Sequence, residues 1–106
     1  MDWGKKNRAI IDYYGIENQK LKLCEECAEV IQAILKGNEQ AIWDEIADVE
    51  VIIDQLVMKY DVDDFVRSRK KYKIARQLAR IRESLRKRKK DIPEWLEEAL
   101  EGIREE

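Results

Sequence analysis

The chain contains no histidine. That absence excludes a Ser-His-Asp triad, a histidine-ligated zinc site and the Glu-x-x-His pairs of ferritin-like di-iron proteins. Proline occurs once and glycine four times in 106 residues, too few for the many turns of a β-sandwich or barrel. No apolar run is long enough to span a bilayer, and no secretory signal opens the chain, which carries Asp2, Lys5 and Lys6 near its start. The expectation is a cytoplasmic protein with no membrane partner. Charged residues make up 42%, yet 21 Lys+Arg against 23 Asp+Glu leave a net charge of only −2. Any chemistry must rest on carboxylates, lysines, arginines or the two cysteines.

What remains is rich in Ala, Leu, Ile, Glu, Lys and Arg, all strong helix formers, and the length suits one domain with a modest core. The expected fold is all-α, a single domain over residues 1–106. A first helix near Lys5–Tyr14 turns Ile10, Ile11 and Tyr14 inward and stops at a left-handed Gly15. A second runs from about Asn18 to Lys36 before Gly37. Asn38 caps a third that reaches about Tyr60, giving a helical hairpin over 18–60. "DVDDF" caps a fourth helix, placed over 63–90 and ending near Lys89. Pro93 suits the first turn of a short last helix over 93–104 holding Trp95, Leu96, Ala99, Leu100 and Ile103.

Charge is segregated towards the end of the chain. Residues 67–90 hold 13 Lys/Arg and one acid, whereas residues 91–106 hold seven acids and one base. Ile74, Ala75, Leu78, Ile81 and Leu85 share one face of the basic helix, so it reads as a packed helix with a cationic outer face. A basic surface for nucleic acid is the lesser alternative.

The acids of the hairpin stand apart. Glu29 and Glu45 each lie eight residues from Gly37; Glu26 and Asp48 each lie eleven. At about 1.5 Å per residue the two pairs fall roughly 12 and 16 Å from the turn. Antiparallel helices would bring all four carboxylates to one level. In the second helix Leu23, Cys24, Cys27, Val30, Ile31, Ile34 and Leu35 form an apolar arc, and its acids alone would read as a solvated face. The third helix differs. Ile46, Val49, Ile53, Leu56, Val57 and Tyr60 form one apolar arc and Ala47, Val51 and Met58 a second, so it reads as buried between partners. Half-buried acids facing other acids need a cation, and an all-oxygen donor set suits Mg²⁺, with Mn²⁺ as a substitute.

Glu25-Glu26-Cys27-Ala28-Glu29, fifteen residues, then Glu45-Ile46-Ala47-Asp48 resembles the EExxE…ExxD signature of MazG-type, all-α nucleoside triphosphate pyrophosphohydrolases. "YGIENQ" and "KIARQL" also look like the small phage and bacterial members, and the resemblance covers about Ile10 to Leu85. It implies cleavage of an NTP or dNTP to the monophosphate and pyrophosphate in nucleotide house-cleaning or dNTP-pool control. It implies Glu26, Glu29, Glu45 and Asp48 as Mg²⁺ ligands with Glu25 just outside them; Glu26 and Glu45 are read here as the catalytic carboxylates, Glu26 taking the proton of the attacking water. It also implies a homodimer or homotetramer that completes the helical bundle. The Asn that larger members carry seven residues after the last acid is Gln55 here.

Gln19, Lys22, Gln55, Lys73 and Arg76 are candidate substrate contacts, each with a plain alternative as a capping, charge-balancing or solvated residue. Cys24 and Cys27 match C-x-x-C only as a string and fall on the apolar arc, so they read as buried small hydrophobes. Trp43 reads as packing. "DVDDFV" lacks the Gly and terminal Glu of an EF-hand loop. Two rivals accompany the pyrophosphohydrolase reading. One is a phosphoribosyl-ATP pyrophosphohydrolase-like enzyme, disfavoured by the missing histidine; the other is a non-catalytic helical module binding nucleic acid through 67–90.

Overall fold

The computed structural model describes residues 3–104, with side-chain surroundings for residues 3–102. Among them all regular structure is α-helical: α1 (Trp3–Tyr14), α2 (Ile16–Lys36), α3 (Glu39–Tyr60), α4 (Asp63–Lys87) and α5 (Glu94–Arg104). None of these helices is long and apolar enough to cross a membrane. The chain divides after Asp63 into two compact units, the first built from α1 to α3 and the second from nearly all of α4 with α5.

The helix ends follow from single residues. Gly37 is left-handed (φ 75°, ψ 19°), and its N–H donates to the carbonyls of Ala33 and Ile34, closing α2. Asn38 then caps α3, its side-chain oxygen accepting from the Ala41 N–H at 3.1 Å. Gly15 differs from the expected left-handed stop: φ is 86° but ψ is 143°. Its N–H closes the last turn of α1 on Ile11 and its carbonyl opens α2 by accepting from Gln19. Only glycine enters that region cheaply, and α2 therefore starts at Ile16 rather than Asn18. Asp61, expected among the caps of the fourth helix, instead closes α3 in a left-handed conformation that short polar side chains tolerate. Lys89 has φ 56°, and α4 ends at Lys87, two residues short of expectation.

Within the first unit α2 and α3 share the most extensive contact. Gln19, near the start of α2, meets Gln55, near the end of α3, while Glu29 meets Glu45 close to the turn. The two helices therefore run in opposite directions. On α2 the buried residues are Gln19, Glu26 and Ala33, spaced by seven along one stripe. The expected inward arc lies roughly 110° round the helix from that stripe. It is accordingly exposed at Cys24, Cys27, Ile31, Ile34 and Leu35, and only half-buried at Leu23 and Val30. The cysteines are thus not buried hydrophobes. On α3 the buried residues are Ile52 and Gln55, lying between the two expected arcs; Ala47, Val51, Ile53 and Tyr60 are exposed. Trp43 is 61% exposed, contrary to a packing role.

In α1 Ile11 is buried, but Ile10 and Tyr14 are exposed, because they border a cavity rather than a packed seam. In the second unit α4 buries no residue: Ile74 and Ile81 are exposed, while Ala75, Leu78 and Leu85 are half-buried. Arg82 Nε lies 3.2 Å from Glu97 Oε1, one ion pair between the basic helix and the acidic one. Leu96 and Leu100 of α5 are buried, Trp95 and Ala99 exposed; the side chain of Ile103 lies outside the described residues.

Candidate metal centre and adjoining cavity

The stripe that α2 turns towards α3 is polar. Along it Glu26 and Glu29 occupy neighbouring turns, and Glu45 and Asp48 do the same on α3. One carboxylate oxygen from each of these four residues lies within 4.8 Å of every other. Glu26 is buried and Glu45 half-buried, while Glu29 and Asp48 open to solvent.

Four carboxylates this close repel one another, and the consequences concentrate on Glu45. Hydrogen bonding with Glu29, lost hydration, and the charges of Glu29, Asp48 and Glu26 push its carboxyl up to about 7. Two buried oxygens, Glu26 Oε2 and Glu45 Oε2, have no hydrogen-bond partner. Buried acceptors left unsatisfied are costly and uncommon. Hard, charged, converging oxygens with vacant lone pairs fit a divalent cation such as Mg²⁺ or Mn²⁺.

Lys22 stands one turn before Glu26 on the same side. Its Nζ lies 3.2 Å from Glu26 Oε1 and 3.4 Å from Glu25 Oε2, and these two acids raise its pKa, Glu26 first. Glu25 itself is exposed and stands outside the group of four.

Beside the acids lies a cavity of about 520 Å³, lined by residues of α1, α2 and α3. Glu26, Asp48 and Lys22 form its charged end. Ile10, Val51, Ile52 and Tyr14 supply apolar and aromatic walls; Asn18, Gln19 and Gln55 supply amides. An apolar pocket of this size with a few convergent polar groups is the usual form of a small-molecule site.

Gln19 and Gln55, read from sequence as substrate contacts, are both buried and joined: Gln19 Nε2 donates to Gln55 Oε1 at 2.7 Å. Gln55 Nε2 donates in turn to Asn7 Oδ1 at 3.1 Å. Sequence reading missed Asn7. Its only signal is its place one turn before the buried Ile11, on the inner side of α1. Lys73 and Arg76 belong to α4 in the second unit, where Arg76 lies over the Tyr72 ring at 5.8 Å.

Comparison of the chain with family models, with curated proteins and with solved structures finds no match.

Proposed function

We propose that this protein is a Mg²⁺-dependent nucleotide pyrophosphohydrolase of the MazG-like type, converting an NTP or dNTP and water to the monophosphate and pyrophosphate. The observation that carries this reading is the set of four carboxylates, two with unsatisfied buried oxygens, at one end of a nucleotide-sized cavity. Glu26, Glu29, Glu45 and Asp48 would hold the cation, with Mn²⁺ as a substitute for Mg²⁺. When bound, such a cation supplies charge neutralisation to phosphate oxygens and acidifies water.

The chain's own residues do the rest. Glu26, buried and facing the cavity, accepts the proton of the water that attacks the α–β anhydride. Lys22, between the acids and the cavity, orients the phosphate chain. Ile10, Val51 and Ile52 exclude water around the nucleoside, and the amides of Gln19 and Gln55 face its base or sugar. The reading includes a cytoplasmic homodimer or homotetramer, supported by the exposed apolar arc of Ile31, Ile34 and Leu35.

Pyrophosphate release from a panel of NTPs and dNTPs, with Mg²⁺ and with EDTA, tests the proposal. Metal-dependent release that disappears in Glu45→Gln supports it; a folded protein that turns over no nucleotide overturns it. A second reading, nucleic-acid binding through 67–90, is favoured only by the absence of buried residues on α4. It requires metal-independent binding that weakens steeply with salt.

A further inference from the structure

Cys24 and Cys27 are free thiols, both exposed, one turn apart on α2 and outside the stripe that this helix turns towards α3. Helical geometry sets their Cα atoms roughly 5 Å apart, inside the range of about 4.4–6.8 Å that a disulfide spans. Their Cβ atoms, as neighbours on a helix, stand about 5–6 Å apart, whereas a disulfide needs about 3.5–4.5 Å. The pair is near enough to close, but only if this turn of α2 deforms by about 1–2 Å.

That turn carries part of the acidic cluster. Glu25 and Glu26 are the two residues between the cysteines. Glu26 is buried, with Oε1 paired to Lys22 at 3.2 Å and Oε2 without a hydrogen-bond partner. It supplies one of the four carboxylate oxygens that lie within 4.8 Å of one another, and Glu29, which supplies another, follows Cys27 by two residues. A hard cation holds its oxygens at about 2.0–2.6 Å, so moving this turn by an ångström or more separates donors that must touch it together. Strain also acts on the bond itself. A disulfide that distorts its helix is easily reduced, so the pair stays a dithiol under reducing conditions and closes only when the surroundings turn oxidising.

We infer that Cys24 and Cys27 form a redox modification site that reacts with a low-molecular-weight disulfide such as oxidised glutathione and, once closed, disables the carboxylate cluster. One cysteine thiol attacks the small disulfide, forming a mixed disulfide and releasing one glutathione thiol. The other cysteine then attacks the protein-bound sulfur, closing Cys24 onto Cys27 and releasing the second glutathione thiol. Two electrons and two protons pass from the protein to glutathione, and no other reactant is consumed. The consequence for the cation rests on the metal-centre reading above; closure of the pair does not.

The test equilibrates the metal-free protein in glutathione buffers of graded redox poise, beside Cys24→Ser and Cys27→Ser. Intact mass reports closure, circular dichroism and thermal melting report the helix, and calorimetry reports Mg²⁺ and Mn²⁺ binding. The expected oxidised protein has lost two hydrogens, melts lower with reduced helicity and binds either cation about tenfold or more weakly. Dithiothreitol reverses all three changes. Each single variant stops at the mixed disulfide and keeps the helicity and cation affinity of the reduced wild type.

The inference is overturned if the thiols of the native protein do not react, or if they stop at mixed disulfides without closing. It is equally overturned if the closed form keeps the helicity and melting temperature of the dithiol, or binds the cation as tightly. A reduced protein that binds neither cation strikes the pyrophosphohydrolase reading instead, and mass and melting then decide the redox site by themselves.

Discussion

Glu45 bears most of the electrostatic cost of the acidic stripe. Its carboxyl, ordinarily near 4.5, is pushed up to about 7 by Glu29, by lost hydration and by the neighbouring acids. An acid with a raised folded pKa binds more protons folded than unfolded between those values, so its contribution to stability is present at low pH and lost as pH rises. The melting temperature of the metal-free protein should therefore fall between about pH 4.5 and 7. Thermal melts across that window check it, and Glu45→Gln should flatten the dependence because no proton remains to be lost. A divalent cation competes with the same proton, so its affinity should rise with pH over the same window, as calorimetry in EDTA-stripped protein would show. Glu45→Gln and Asp48→Asn should each lower metal-dependent turnover by about 10²-fold or more while the helical circular dichroism is retained.

The elements depend on a few backbone positions. Gly37 holds φ 75° with open space where a Cβ would stand, so Gly37→Ala meets no clash and its cost is backbone strain alone, about 1 kcal/mol. Asn38→Ala removes the acceptor for the Ala41 N–H and should cost about 1 kcal/mol. Urea denaturation measures both. Each substitution also loosens the turn that brings Glu29 level with Glu45, so metal affinity should drop with stability. Ile52 is different in kind. It is buried on the stripe of α3 that lines the cavity, and Ile52→Ala should cost about 2–4 kcal/mol, more than either turn change.

For the whole molecule, the four clustered carboxylates come from two helices, so a cation held by them only when α2 and α3 are paired would stabilise the fold by mass action. At a metal concentration one hundred times its Kd, about 2.7 kcal/mol is expected, read as a rise in melting temperature that EDTA reverses. The apolar arc of α2 gives a second expectation at this scale. Ile34→Glu should lower the sedimentation-equilibrium mass without abolishing helicity if that arc is covered by another copy.

The absence of histidine, the helix-forming composition, the break at Gly37 and the cap at Asn38 were all legible from local chemistry. So was the even spacing of Glu26, Glu29, Glu45 and Asp48 about the turn, because distance along a helix is proportional to residue number. Helix rotation was not legible. Periodicity shows that an apolar arc exists but not which neighbour it faces, and here α2 turns Gln19, Glu26 and Ala33 to α3 and leaves Ile31, Ile34 and Leu35 exposed. Nor could local sequence reveal that Asn7 meets Gln55, a pair 48 residues apart joined only by the packing of α1 on α3. Sequence by itself determined the helices, the turn between α2 and α3 and the level of the acids, which depend on neighbours along the chain. Only the tertiary structure decided which faces meet, because that choice rests on contacts between residues far apart in the chain.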